Sequence, residues 1–232
     1  KKYFIKNIFK KRILYIYKNM FYFFLDLLLM HGLNFFFYKV LNYYNIKEKF
    51  LGNISFNLTR SVICGSLSYY AYKNYSNVWN DMCLLDKSFN FKLIIYHNSF
   101  LNYFIYDLFV MIYQVYKKIN NQLRKDLLFH HLLAIFALHV IEQNKMFHLS
   151  LLIGLSEGMS FVSGFKLLCN KLELKKINQF IIIYRLSYLI FIRMIFLWPS
   201  LIYFYISATH HCDNFKNNSS ISLLLLFLGI IL

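Results

Sequence analysis

The chain has 232 residues, of which 59% are hydrophobic and 21% aromatic, and a formal charge of +16. A water-soluble domain of this size carries less apolar and more charged residue. The composition therefore excludes an ordinary soluble domain. The positive charge does not point to nucleic acid either. It sits in short clusters between apolar runs, KKYFIKNIFKKR at 1–12, KKINNQLRK at 117–125 and KLELKK at 171–176. That pattern suits lipid-headgroup anchors and loop charges, not a basic binding face.

One Pro and seven Gly leave little turn chemistry, so long helices are expected. Several apolar runs approach the roughly 20 residues needed to cross a bilayer. The expected class is an all-α, multi-pass transmembrane helical bundle, an integral membrane protein. Residues 1–49 read as a basic segment and first transmembrane helix, and residues 50–232 as a transmembrane domain.

Seven spans are predicted. The first runs from about Ile13 to Phe37, interrupted by Asp26 and His31. Its basic start precedes no cleavage signature, so it reads as an anchor and not a removable signal peptide. The second, Ile54–Tyr72, is rich in Ser and other small residues that suit close helix packing. Residues 73–98 form the longest connection, with Trp79, Asp81, Asp86 and His97, expected to lie along the membrane surface or cap a cavity. The third span covers Ser99–Tyr116, the fourth Asp126–Ile141 and the fifth Phe147–Leu168. The sixth, Ile177–Ile206, is too long for one straight crossing, and Pro199 is expected to kink or end it. The seventh starts near Ser220 in the run ISLLLLFLGIIL and is expected to continue past Leu232. Lys and Arg are nearly balanced between alternate loops and do not set an orientation.

Cys64, Cys83, Cys169 and Cys212 are far apart with no CxxC, which argues against a zinc site or disulfide framework. Asn-x-Ser/Thr matches at Asn53, Asn57, Asn74, Asn217 and Asn218 arise readily in an Asn-rich chain.

Ionisable residues at membrane depth face a bundle interior, a wet cavity or a partner. Tyr103 and Asp107 are four apart on the third span and share a face. The fourth carries His130, His131 and His139. The fifth has Ser156, Ser160 and Ser163 with Glu157 beside them, and the sixth has Arg185 and Arg193. Adjacent helical residues point about 100° apart. His130 and His131 therefore cannot face one neighbour; together they cover a wedge. Two readings stay open. The imidazoles hold or move a proton beside a carboxylate, or each merely hydrogen-bonds across helices. Buried carboxylates need partners, so Asp107 and Glu157 are the acids to expect beside them. Adjacent histidines are poor joint metal ligands and no HxxxH box is present, so no metal is expected.

In this order, NYFIYDLF (102–109), KDLLFHH (125–131), LSEGMSF (155–161) and FIRMIFLWP (191–199) resemble the TLC-domain family, which includes the ceramide synthases. The similarity covers roughly residues 50–232. It implies six helices around a long lipid cavity, with an additional N-terminal helix. In the synthases the paired histidines serve acyl transfer from acyl-CoA to a long-chain base. By resemblance, His130 and His131 match that pair. The later His-Asp-x-x-Ser-Asp element is absent, Ser156–Glu157 stands in its region, and SFNLTRSVICG (55–65) lacks the histidine of that span. The chain is thus more similar to the less defined TLC-domain-containing branch.

The expected function is binding, sensing or remodelling of membrane lipid (an acyl chain, sphingoid base or phospholipid) in the endoplasmic reticulum or another endomembrane. The alternative is an acyl-CoA-dependent acyltransferase of the ceramide synthase type. In that case His130 or His131, with His131 favoured for its greater depth, is the base, oriented by Asp107 or Glu157. Tyr103, Ser156, Ser160, Arg185 and Arg193 are the candidate lipid contacts. No cofactor is expected beyond acyl-CoA as co-substrate.

Overall fold

A computed structural model describes residues 2–76, 91–117, 125–143 and 146–211. It is helical, with no strand among the described residues. The helices are α1 (Lys2–Tyr43), α2 (Glu48–Asn74), α3 (Phe91–Tyr116), α4 (Lys125–Gln143), α5 (Leu149–Ser156), α6 (Gly158–Lys171), α7 (Lys175–Tyr188) and α8 (Trp198–His211). A π-helical segment, Leu189–Leu197, joins α7 to α8. Among the described residues, three helical stretches are long and apolar enough to cross a membrane: Met20–Tyr43, Leu149–Lys171 and Lys175–Ser207.

Scarce glycine shows at the helix ends. After α1 and after α6 the chain turns through a residue with positive φ, Asn45 (55°) and Glu173 (56°). In each case the next amide reaches five residues back, Ile46 to Leu41 and Leu174 to Cys169. This is the Schellman ending, normally built on glycine, made here with Asn and Glu.

The small residues of α2 do what their size suggests. α2 packs against α1, α3, α5 and α6. A Cβ added at Gly65 would meet the Phe161 ring, and one at Gly164 would overlap Ser61 Oγ and the Asn57 backbone carbonyl. Gly154 and Gly158 likewise leave room for Tyr96 and Tyr188. Absent side chains let the backbones approach where lipid supplies no hydrophobic drive. The core centres on Phe100, Tyr103 and Phe104 of α3, Leu138 of α4, and Leu151 and Leu152 of α5.

The outside is the reverse of a soluble protein. Phe21, Phe24, Leu28, Phe35 and Phe36 of α1 are exposed, as are Phe180, Ile183, Leu186 and Phe191 along the long C-terminal helix. Asp107, His97, His131, Glu157, Gln114 and Asn102 are buried. Apolar side chains outside and ionisable ones inside are what a protein solvated by acyl chains requires.

Several boundaries differ from the sequence expectation. The third helix begins at Phe91, not Ser99, so the 73–98 connection is shorter than expected. His97 is fully buried inside that helix, with Nδ1 2.7 Å from Ser150 Oγ. Trp79, Asp81, Asp86 and the seventh span lie outside the described residues. The fifth span is broken at Glu157. Pro199 does not end the sixth span, which runs on to His211. A proline removes an amide and crowds the carbonyl four residues earlier, here Ile195. That carbonyl lies in the π segment, whose bonds already run in another register.

Candidate functional site

Where α2, α3, α4 and the α5–α6 junction meet, two histidine–carboxylate pairs lie back to back. Asp107 projects from α3, 1% exposed, between a guanidinium and an imidazole. Arg60 of α2 grips it through both arms, Nε to Oδ1 at 3.0 Å and Nη2 to Oδ2 at 2.6 Å. From α4, His131 Nε2 closes on the same Oδ2. His131 Nδ1 donates to the Leu127 carbonyl at 2.7 Å, one turn back on its own helix. Both nitrogens of His131 thus face acceptors, and the ring is fixed.

His130 points the other way, as the 100° offset demands. Its Nε2 lies 3.4 Å from Glu157 Oε1. Its side chain is 24% exposed, and its Nδ1 has no hydrogen-bond partner among the described residues. The two rings meet edge to face at 5.6 Å, and Phe104 contacts both. His139 falls on the exposed outer face of α4 and takes no part.

Glu157 is placed by the break in its own helix. The Ser160 amide donates to the Glu157 carbonyl at 2.9 Å rather than one residue further back. The Ser156 carbonyl is then capped from outside, by Arg193 Nη2 at 3.0 Å and Nε at 3.3 Å. Arg193 also reaches Glu157 Oε1 at 3.9 Å, and Ser160 Oγ donates to Oε2 at 3.0 Å. Arg193 lies in the π segment, the kind of local widening often found at functional sites. Beside it, the Tyr188 hydroxyl donates to the Leu155 carbonyl.

The structure brings together Asp107, His130, His131, Glu157, Ser160 and Arg193. Tyr103 is buried next to them, in hydrogen-bond contact with Cys64. Ser156 turns its hydroxyl onto its own helix, to the Ile153 carbonyl. Arg185 stands apart. Arg60 is the residue that sequence reasoning missed: SFNLTRSVICG stood out only for a histidine it lacks. A lone arginine inside an apolar run was the available signal, since such a cation requires an acid on a neighbouring span.

Two cavities lie at opposite ends of α2. One, of about 350 Å³, is polar and is bordered by Asn53, Arg60, Gln114, Lys166, Asn170 and Arg185. The other, of about 300 Å³, is walled by Tyr69, Tyr72, Tyr75, Tyr188, Ile192 and Phe196. Asp107, His130, His131 and Glu157 were expected on a cavity wall. They are not among the residues that line these two cavities, and they pair with one another and with Arg60 and Arg193. Asn53 and Asn57 belong to the polar cavity and to each other, Asn57 Nδ2 donating to Asn53 Oδ1 at 2.8 Å, which is no place for a glycan. No protein-family model, curated protein or solved structure matches the chain.

Proposed function

We propose that this is a multi-pass endomembrane protein of TLC type whose helices bind and handle membrane lipid. The observation that carries the reading is an aromatic and aliphatic cleft opening on the apolar outer surface, walled by Tyr69, Tyr72, Tyr188, Ile192 and Phe196. At about 300 Å³ it is of ligand size and its walls suit an acyl chain. The motif order 102–109, 125–131 and 155–161 supports the same reading through its resemblance to the TLC family. The buried ion pairs hold the bundle in one register.

The test is mass spectrometry of lipid carried through purification of the full chain. One lipid class enriched well above its share of the source membrane supports the reading. A profile identical to the bulk membrane contradicts it.

A second reading, acyl transfer, has one specific observation in its favour. His130 pairs with Glu157 through Nε2 and keeps Nδ1 free and partly accessible. A general base needs a free nitrogen held by an orienting acid. This makes His130 the candidate, in place of the deeper His131. Transfer from acyl-CoA to a long-chain base by reconstituted protein tests it; no turnover with any chain length rejects it.

A further inference from the structure

The polar cavity has an unbalanced wall. Three of its lining residues are cations, Arg60, Lys166 and Arg185, and none is a carboxylate. Arg60 is compensated by Asp107. The other two are not. Among the described residues, neither the Lys166 nor the Arg185 side chain has an ion-pair or hydrogen-bond partner, and Arg185 Nε is buried without one. Gln114, only 6% exposed, borders the same space and also makes no side-chain hydrogen bond there. A buried amide and a buried guanidinium nitrogen without partners are costly, and an anion seated between them removes that cost.

The position of the cavity indicates where the anion comes from. Its wall is drawn from the start of α2 (Asn53), the end of α3 (Gln114), the start of α4 (Leu127) and the end of α6 (Asn170). The α3 and α4 ends flank the lysine-rich stretch 117–125, and the α6 end leads into the lysine-rich stretch 171–176. Clusters of that kind sit at headgroup level. Charge narrows the chemistry further. Two uncompensated cations match the ≈ −1.5 to −2 charge of a phosphomonoester, and the planar fork of an arginine suits its oxygens.

We infer that the cavity bordered by Arg60, Gln114, Lys166 and Arg185 is a receptor for a phosphomonoester anion, supplied as a lipid headgroup. The lipid source rests on the function proposed above; the anion site does not.

The test uses the full chain in a neutral maltoside detergent, with binding measured by calorimetry for three probes: dioctanoyl phosphatidate, dioctanoylglycerol and inorganic phosphate. Phosphatidate is expected to bind and dioctanoylglycerol not to bind at the same concentration. Lys166→Gln and Arg185→Gln are each expected to weaken phosphatidate about tenfold or more, as loss of a charge-assisted bond does, and Lys166→Arg to retain it. Gln114→Leu, which leaves the charges in place, is the check if a charge variant does not fold; a several-fold loss is expected. If inorganic phosphate binds as tightly as phosphatidate, the anion site stands and its lipid source falls. Equal binding of phosphatidate and dioctanoylglycerol by wild type and variants overturns the anion site while leaving lipid handling intact. Absence of binding by both phosphate-bearing probes also overturns the site.

Discussion

Asp107→Asn keeps the shape of the side chain and removes its charge, and the consequence can be worked from its neighbours. Asp107 is 1% exposed and Arg60 15%, so water reaches neither well enough to take over the solvation. The guanidinium loses the carboxylate that both its arms grip, and His131 loses the acceptor at Nε2. Removing one member of a buried pair costs about 3–5 kcal/mol, because the remaining charge is left uncompensated. Against a total stability of about 5–15 kcal/mol this is severe. With about 2–4 °C per kcal/mol for a chain of this size, the melting temperature should fall by about 6–20 °C. The assay is thermal unfolding of purified protein in detergent, wild type beside Asp107→Asn, Arg60→Met and the double variant Arg60→Met/Asp107→Asn. The double variant should be more stable than Asp107→Asn, since no lone charge remains inside. A shift of a degree or less for Asp107→Asn refutes the reasoning. So does a double variant that loses the sum of the two single losses, which would mean the pair is not coupled.

Gly164→Ala should destabilise by about 1–3 kcal/mol, because the added methyl overlaps the Asn57 carbonyl and α2 must move; Gly32→Ala, with nothing within 4 Å, should be neutral or stabilising by up to about 1 kcal/mol. Thermal unfolding of the two variants side by side checks both, and equal melting temperatures would show that the close approach carries no energy. His131→Ala should lower the melting temperature more than His130→Ala, since only His131 is tied at both nitrogens. If acyl transfer is detected, His130→Ala should reduce kcat by about 10²–10⁴-fold with little loss of fold, and unchanged kcat removes His130 from the chemistry. Arg193→Met should cost more than Arg193→Lys, because a lysine can still reach the freed Ser156 carbonyl with one bond where arginine makes two; unfolding midpoints in the reverse order reject that account of the cap.

The helical class was legible because apolar runs of spanning length and scarce turn residues admit little else. The divergence of His130 and His131 was legible too, since it follows from helix geometry alone. The break at Glu157 was not. Nothing in LSEGMS announces that Ser160 will bond to Glu157 instead of Ser156, and the cause lies 37 residues away in Arg193, waiting for a carbonyl. Arg60 was hidden by a different effect: its partner is 47 residues on, and sequence spacing says nothing about which helices adjoin. The sequence reading places His97 in the 73–98 connection, whereas burial against Ser150 and the Phe147 ring draws it into the helix.

The separation of ion-pair partners along the chain has a consequence for synthesis. α2 leaves the ribosome carrying Arg60 with no acid to meet until Asp107 emerges, 47 residues later. Glu157 can meet His130 as soon as it appears, but Arg193 follows only when the helix that carries it is made. Each of these two helices is therefore made carrying a charge that a later segment cancels. Chains stopped between residues 74 and 107 are expected to hold α2 at the translocon or let it slip out, and chains stopped beyond α3 to retain it. Crosslinking of such arrested chains to the insertion machinery reads this directly, and equal retention of both lengths would show that Arg60 enters the bilayer unaided.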